Sequence, residues 1–153
     1  MGIEIQKVKF NDLLWPQVRQ IRFDVFVEEQ KVDEEEEYDE YEEESAHFLA
    51  FADGKAAGTA RWRKTEKGVK LERFAVLIPF RGMGVGAALV RATLGEVLPM
   101  QEPGSEIYLH AQVQALPFYE KLGFRAYGDL FYEAGIAHRK MRFEGKNTAA
   151  GVN

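Results

Sequence analysis

The chain has 153 residues, of which 46% are hydrophobic, and a formal net charge of −5, as expected for one globular domain with an ordinary core. It has no cysteine, so disulfides, thiolate metal sites and a cysteine nucleophile are excluded. Its three histidines, His47, His110 and His138, lack the i, i+4 spacing of helical metal ligands, and we predict no metal site.

The charges are distributed unevenly along the chain. Ten of the twelve residues from 33 to 44 are acidic, which leaves 15 acidic against 20 basic residues elsewhere. A mildly basic body with an acidic flap would hold a polyanionic ligand and attract a cationic partner, but a solvated loop explains the run equally well. No basic tract with interleaved aromatic residues suggests nucleic acid. The sequence also lacks signal-peptide and membrane-span patterns, which predicts a cytoplasmic protein without a membrane partner.

The first half predicts a strand, a helix and an antiparallel meander. Ile3, Ile5 and Val8 indicate the strand, and Asn11 or Asp12 is expected to cap a helix that runs to about residue 29. The acidic segment is expected to form a loop or a frayed helix. Strands at 46–52 and 56–64 flank the turn dipeptide Asp53-Gly54, and a third strand covers 69–78.

The second half predicts a strand–helix–strand unit and closing strands. A helix at 87–98 follows a glycine-dense turn, and a strand at 106–111 then pairs in parallel with strand 69–78 through a right-handed crossover. A short helix at 115–122 ends at Gly123, and strands at 124–127 and 137–143 follow. Residues 1–144 are therefore predicted to form one domain, with a flexible tail at 145–153.

The turn between strand and helix, Arg81-Gly82-Met83-Gly84-Val85-Gly86, is the most informative motif. Glycines let the backbone approach a ligand closely, and a helix N-terminus directs unpaired N–H groups at a phosphate. Gly82, Gly84 and Ala87 also satisfy a dinucleotide-binding fingerprint, but a meander precedes them instead of an opening βαβ unit. A third reading is that the glycines form only a tight turn.

A second motif lies downstream, at residues 115–124, and reads Ala-Leu-Pro-Phe-Tyr-Glu-Lys-Leu-Gly-Phe. The two motifs together resemble the GNAT acetyltransferase superfamily, whose pyrophosphate signature is Arg or Gln, two residues, Gly, one residue, and Gly or Ala. Arg81, Gly84 and Gly86 match that signature. Residues 22–30, 110–112 and 135–138 are similar to the YjcF-like or ElaA-like branch, so the resemblance covers roughly residues 3–143.

The resemblance implies an α+β fold with a mixed, mainly antiparallel sheet of six or seven strands, a central parallel splayed pair and flanking helices. It implies acetyl-CoA as the acetyl donor, and no metal. Pantetheine would pair with the backbone of Phe74, Ala75 and Val76. The diphosphate would be held by the N–H groups of residues 82–87, with help from Arg81. The diphosphate-binding turn comprises Gly82, Met83, Gly84, Val85, Gly86 and Ala87. The other predicted cofactor contacts are Gln112, Phe118 and Tyr119. At the position of Gln112 the superfamily commonly has asparagine.

The resemblance also suggests the catalytic groups. Tyr119 is the predicted general acid, although its ring could simply pack in the core. Glu72 is a candidate base, but it could equally form a cross-strand pair with Arg61 or Arg63. His138 and His110 are further candidates, a structural role for each being the alternative, and a water relay could replace a dedicated base. A backbone N–H near Val76 would stabilise the oxyanion.

The predicted function is direct transfer of an acetyl group from acetyl-CoA to a primary amine of a small molecule or peptide. The acceptor pocket would draw on Arg22, Phe26, Glu29 and the acidic segment, by analogy alone. A polyamine, a lysine side chain or an aminated sugar fits equally well, and a homodimer is compatible with the sequence. The alternatives are a non-catalytic acyl-CoA-binding module and a dinucleotide-binding oxidoreductase.

Overall fold

The computed structural model describes residues 2–145 and places them in a seven-stranded sheet with helices on both faces. The strands are β1 (Ile3–Val8), β2 (Ala46–Ala52), β3 (Lys55–Thr65), β4 (Gly68–Val76), β5 (Glu106–Gln112), β6 (Phe124–Glu133) and β7 (Ile136–Phe143). The helices are α1 (Trp15–Arg22), α2 (Glu34–Glu37), α3 (Val85–Val97) and α4 (Leu116–Lys121). Apart from Gly145, the predicted tail lies outside the described residues.

The sheet has the strand order β1-β2-β3-β4-β5-β7-β6, and β4-β5 is its parallel pair. The other neighbouring strands are antiparallel, so the mixed, mainly antiparallel sheet and the β2-β3-β4 meander are confirmed. The parallel pairing runs from Gly68–Glu106 to Leu71–Leu109 and stops there. Beyond this point β4 continues beside β3 and β5 beside β7, so the two central strands splay apart.

A bulge in β4 lies where the two strands separate. Arg61 pairs with Glu72 and Thr59 with Ala75, so Arg73 and Phe74 lie opposite the single residue Ala60. Arg73 has a φ of 59°, in the left-handed region that non-glycine residues rarely adopt. Such a bulge bends a strand and redirects its side chains, which accounts for the divergence of β4 from β5.

The sheet is buried on both faces because α1 and α3 each bring an apolar stripe to it. Val18 and Ile21 of α1 pack in one cluster with Leu49 of β2. Leu89 and Val90 of α3 pack in the other. α1 continues as a π-helix over Phe23–Glu29, which agrees with the predicted helix end. This packing fixes the two helices on opposite faces of the splayed strands.

Several boundaries differ from the predictions; β4, for example, ends at Val76 and not at residue 78. Neither Asn11 nor Asp12 caps α1: the residue before the helix is Leu14, without a side-chain cap, and the Asp12 carboxylate instead accepts from the Leu13 N–H. α3 begins two residues earlier than predicted. β6 extends past Tyr127 to Glu133, because the register with β7 shifts near Gly128 and then resumes at Phe131. No helix within residues 2–145 has the length and apolar character needed to cross a membrane.

Candidate active site

A cavity of about 540 Å³ opens where β4 and β5 separate. Its walls come from β4, β5, the π-helical end of α1, the acidic segment and the β6–β7 turn. Eight of the predicted site residues line it: Glu72, Phe74, Ala75, Val76, Arg81, Gln112, Tyr119 and His138. The splay therefore brings most of the predicted catalytic groups and the predicted pantetheine strand to one place.

The glycine turn lies at the surface, outside the lining of this cavity. Gly82 and Gly84 have φ values of 79° and 91°, and α3 begins directly after Gly84. The first i to i−4 hydrogen bond runs from the Ala88 N–H to the Gly84 carbonyl. The N–H groups of the first turn, residues 85–87, consequently have no partner within the helix itself. A Cβ on Gly82 would meet nothing within 4 Å, so the space over the turn is open to a ligand.

The other predicted members of the turn serve the fold as well. Val85 is 1% exposed and anchors the start of α3 in the core, whereas Met83 is exposed. A Cβ on Gly86 would lie 3.3 Å from Cζ of Phe118, so glycine allows this close approach of α3 and α4. Ala87 is partly buried and Phe118 is 37% exposed. Neither residue lines the cavity.

Arg81 connects the turn to the cavity. Its guanidinium donates to the Val76 carbonyl at 2.8 Å and to both carboxylate oxygens of Glu29 at 2.8 and 2.6 Å. The Arg81 hydrogen bond is the main reason why the pKa of Glu29 is lowered. Arg81 thus lies between the turn and the cavity, and Glu29 holds its guanidinium in this structure.

Tyr119 lies at the base of the cavity, on α4. Its ring makes edge contacts with Phe74, Phe118 and Phe124, with centroid separations of 6.0, 4.9 and 6.0 Å. Burial raises the pKa of its hydroxyl, which keeps the phenol protonated. Among residues 2–145 the structure records no hydrogen-bond partner for this hydroxyl. A neutral phenol that faces a cavity is able to donate a proton there.

The Glu72 carboxylate contacts three basic side chains. Its carboxylate accepts from Arg61 and, at 2.8 Å, from Arg63, and it lies 3.4 Å from Lys70 Nζ. Burial alone would raise its pKa, but Arg61, Lys70, Arg73 and Arg63 outweigh that effect and lower the pKa to about 2. Such a carboxylate is a poor proton acceptor at neutral pH. The geometry therefore favours the cross-strand pair over the base.

The two histidines of the cavity share one carboxylate. His110 Nδ1 lies 2.8 Å from Glu133 Oε2, and His138 Nε2 lies 3.9 Å from Glu133 Oε1. His138 Nδ1 lies 2.6 Å from the Ile136 carbonyl. A carbonyl can only accept, so Nδ1 carries the proton of a neutral ring and Nε2 keeps its lone pair. The same reasoning holds for His110, whose Nδ1 faces a carboxylate, so both rings are able to accept a proton at Nε2.

Glu133 was missed in the sequence. It is the last residue of β6 and pairs with Ile136 across a two-residue turn in which Ala134 and Gly135 have φ values of 51° and 78°. The pair of positive φ values is typical of a tight hairpin turn. The Ala-Gly dipeptide was the only sequence signal for this turn. The turn brings Glu133 into the cavity with His110 and His138.

Gln112 bridges two neighbours at the end of β5. Its amide nitrogen donates to Gln30 Oε1 at 2.9 Å, and its oxygen accepts from Gln114 at 2.9 Å. Gln30 follows the helical segment that ends at Glu29, so these bonds tie β5 to the opposite wall of the cavity. The amide group lies in the cavity lining, within reach of a bound chain.

Of the residues expected to form the acceptor pocket, Phe26 lines the cavity and Arg22 does not. Arg22 is 1% exposed and donates to Glu37 at 2.7 Å and to both oxygens of Glu42 at 2.8 Å. The interpretation of the acidic segment as a solvated loop is therefore wrong for Glu37 and Glu42, which are buried against arginines. Within the described residues no cluster of three or more His, Cys, Asp or Glu side chains could hold a metal ion.

Comparisons with known proteins agree with this architecture. The family model described as acetyltransferase (GNAT) domain matches residues 15–144. The uncharacterized N-acetyltransferase YjcF of Bacillus subtilis is 42% identical over 122 residues, 79% of this chain and 86% of that protein. The crystal structure of Escherichia coli ElaA covers 94% of this chain and 100% of its own, with a TM-score of 0.80 and 26% identity. An acyl-CoA N-acyltransferase from Pseudomonas aeruginosa gives a TM-score of 0.77 at 25% identity, covering 93% and 99% of the two chains.

Proposed function

The chain belongs to the GNAT acetyltransferase family and is an acyl-CoA-dependent N-acetyltransferase, and we propose that it moves the acetyl group of acetyl-CoA directly to a primary amine. The acceptor is a small molecule or a peptide. The predicted family and the predicted fold are confirmed. The oxidoreductase alternative is wrong, because the sheet has one parallel pair and lacks the doubly wound parallel order of dinucleotide-binding folds.

The residues around the glycine turn fit an acyl-CoA donor. Open space above Gly82, together with the first-turn N–H groups of α3, suits a diphosphate. The backbone of residues 74–76 borders the gap left by β5, where an extended pantetheine chain would add to the sheet edge. Acetyl-CoA supplies an activated thioester, and the protein supplies its alignment with the amine.

We assign catalytic roles to two side chains and one backbone group. His138 Nε2 accepts a proton from the amine as the C–N bond forms, and the Val76 N–H stabilises the charge that develops on the carbonyl oxygen. The Tyr119 hydroxyl donates a proton to the sulfur as the C–S bond breaks, and it regains one from His138 through solvent. Glu133 orients the histidine pair. No covalent intermediate on the protein is required, in keeping with a sequence without cysteine.

One observation carries this proposal: the cavity formed where β4 and β5 splay is lined both by Arg81, next to the glycine turn, and by Tyr119, whose hydroxyl has no hydrogen-bond partner recorded among residues 2–145. The test is CoA release from acetyl-CoA with a panel of amines, with mass spectrometry of the amide product. We expect amine-dependent release of CoA in equal amounts with the amide. A protein that does not bind acetyl-CoA at micromolar concentration would refute the proposal. Binding without turnover of any amine would indicate the non-catalytic acyl-CoA-binding module instead.

A further inference from the structure

The acidic segment has three carboxylates that are paired with buried arginines. Glu37 and Glu42 are paired with Arg22, and Asp39 receives two hydrogen bonds from Arg61 at 2.8 and 2.9 Å. Arg22 and Arg61 are each 1% exposed. These three negative charges are therefore neutralised from within the protein, whereas Glu36, which also lines the cavity, is exposed.

The cluster built around these pairs contains more cations than anions. It joins five basic residues to four carboxylates through contacts within 4 Å. The basic members are Arg22, Arg61, Arg63, Lys70 and Arg73, and the carboxylates are Glu37, Asp39, Glu42 and Glu72. The formal charge of the cluster is consequently +1.

Three cations of this cluster face the cavity. Arg63, Lys70 and Arg73 line it, with side chains 16%, 14% and 22% exposed; of the carboxylates in the lining, Glu37 and Glu72 are 4% and 7% exposed and Asp39 is 24% exposed. Lys70 is the most weakly paired of the three: among residues 2–145 its one ion-pair partner within 4 Å is Glu72, at 3.4 Å, which already accepts from Arg61 and Arg63. A partly buried ammonium with so poor a partner is stabilised by an incoming anion.

The β6–β7 turn brings the proton acceptors to the same cavity. Glu133 lines it together with His110 and His138, and the exposed Glu36 lies at its rim. An acceptor that spans the cavity would therefore meet positive charge at β4 and basic lone pairs at the β6–β7 turn. A diamine would place its second cation against Lys70 and Arg63, whereas an amine with a carboxylate would match both sides.

We propose that the acceptor is an amino acid-like molecule, whose carboxylate binds Lys70 and Arg63 while its amine lies at His138. The inference rests on the proposed acetyltransferase function and names the substrate class of that same site. It runs against the cationic acceptor suggested by the acidic run, because buried arginines neutralise Glu37, Asp39 and Glu42 of that run.

The test compares matched acceptors that differ only in the carboxylate. Two such pairs, phenylalanine with phenethylamine and lysine with cadaverine, are assayed at fixed acetyl-CoA. We expect kcat/KM at least tenfold higher for the carboxylate-bearing member of the productive pair, the size of one charge-assisted hydrogen bond. Lys70→Met should reduce that preference about tenfold, and Lys64→Met, an exposed lysine on β3 outside the cavity, should leave it unchanged.

Equal or better turnover of the amines without a carboxylate would overturn the inference and leave the acetyltransferase function intact. An equal loss for both members in Lys70→Met would also overturn it, because a structural role predicts such a uniform loss. If no pair is turned over, the Tm of the protein is measured with CoA and each acceptor in turn. A rise limited to carboxylate-bearing acceptors and abolished by Lys70→Met supports the proposal, and no such rise refutes it. Failure to bind acetyl-CoA would instead refute the function itself.

Discussion

Replacing Tyr119 by phenylalanine separates a catalytic hydroxyl from a structural ring. The three aromatic contacts of Tyr119 involve its ring, which phenylalanine retains. Since no hydrogen-bond partner of the hydroxyl is found among the described residues, its removal leaves no group of the fold unpaired. We therefore expect the free energy of unfolding to change by less than about 0.5 kcal/mol.

The rate should respond quite differently. General acid catalysis typically contributes about 10² to 10⁴ in rate, so kcat of Tyr119→Phe should fall by that factor, equivalent to about 3–5 kcal/mol in the barrier. KM for acetyl-CoA should change little, because the ring stays in place. Burial raises the pKa of this phenol. The wild-type rate should consequently show no loss from its ionisation below about pH 10, the ordinary tyrosine value.

The assay is steady-state CoA release beside urea unfolding of the same preparations. Tyr132→Phe is the matched control, since Tyr132 is 69% exposed on β6 and its hydroxyl has no assigned role. This control should keep both full activity and full stability. A Tyr119→Phe variant with kcat within threefold of wild type would refute the assignment of the acid. A loss of activity accompanied by a comparable loss of stability would also refute that assignment.

Three further predictions concern the charged groups. The pKa of Glu72 is about 2 in the folded protein and about 4.3 in the unfolded chain. Its contribution to the free energy of unfolding is therefore fully present above about pH 4.3 and is lost as the pH falls toward 2. Urea unfolding should show about 3 kcal/mol of such pH dependence, and Glu72→Gln should remove it. Arg22→Met removes the buried cation shared by Glu37 and Glu42 and leaves each with one remaining arginine, Arg73 or Arg61. It should cost about 3–5 kcal/mol in the same assay, and a cost below about 1 kcal/mol would contradict the network. Arg81→Gln should raise KM for acetyl-CoA about tenfold if the guanidinium reaches a phosphate. Glu29→Gln frees that guanidinium and should lower KM. A change of KM in the same direction in both variants would count against the phosphate contact.

Much of the fold follows from local patterns in the sequence. Asp53-Gly54 fixed the first hairpin, and the alternation of strand, glycine turn and helix predicted the parallel pair correctly. Boundaries failed where backbone conformation overrode the pattern. Asn11, expected at a helix cap, has a φ of 63°, and β6 continues across the irregularity near Gly128. Neither conformation has an unambiguous signal in one sequence.

The site was less predictable than the fold because long-range pairing decides its chemistry. The acidic run reads as a solvated loop, yet Arg22 and Arg61 bury two of its carboxylates from 15 to 20 residues away. Glu133 gave no local signal at all, since its partner His110 lies on another strand, 23 residues earlier. The position of Tyr119 beside the cavity could be predicted because the motif around it carries its own context, and its role as the acid stays a prediction.

The most direct test of the central claim is a crystal structure of this protein with CoA. We expect the diphosphate on the backbone N–H groups of residues 82–87 and the pantetheine arm between β4 and β5, with its sulfur close to the Tyr119 hydroxyl. A structure in which CoA lies elsewhere, or in which the gap between β4 and β5 stays empty at saturating CoA, would contradict the account.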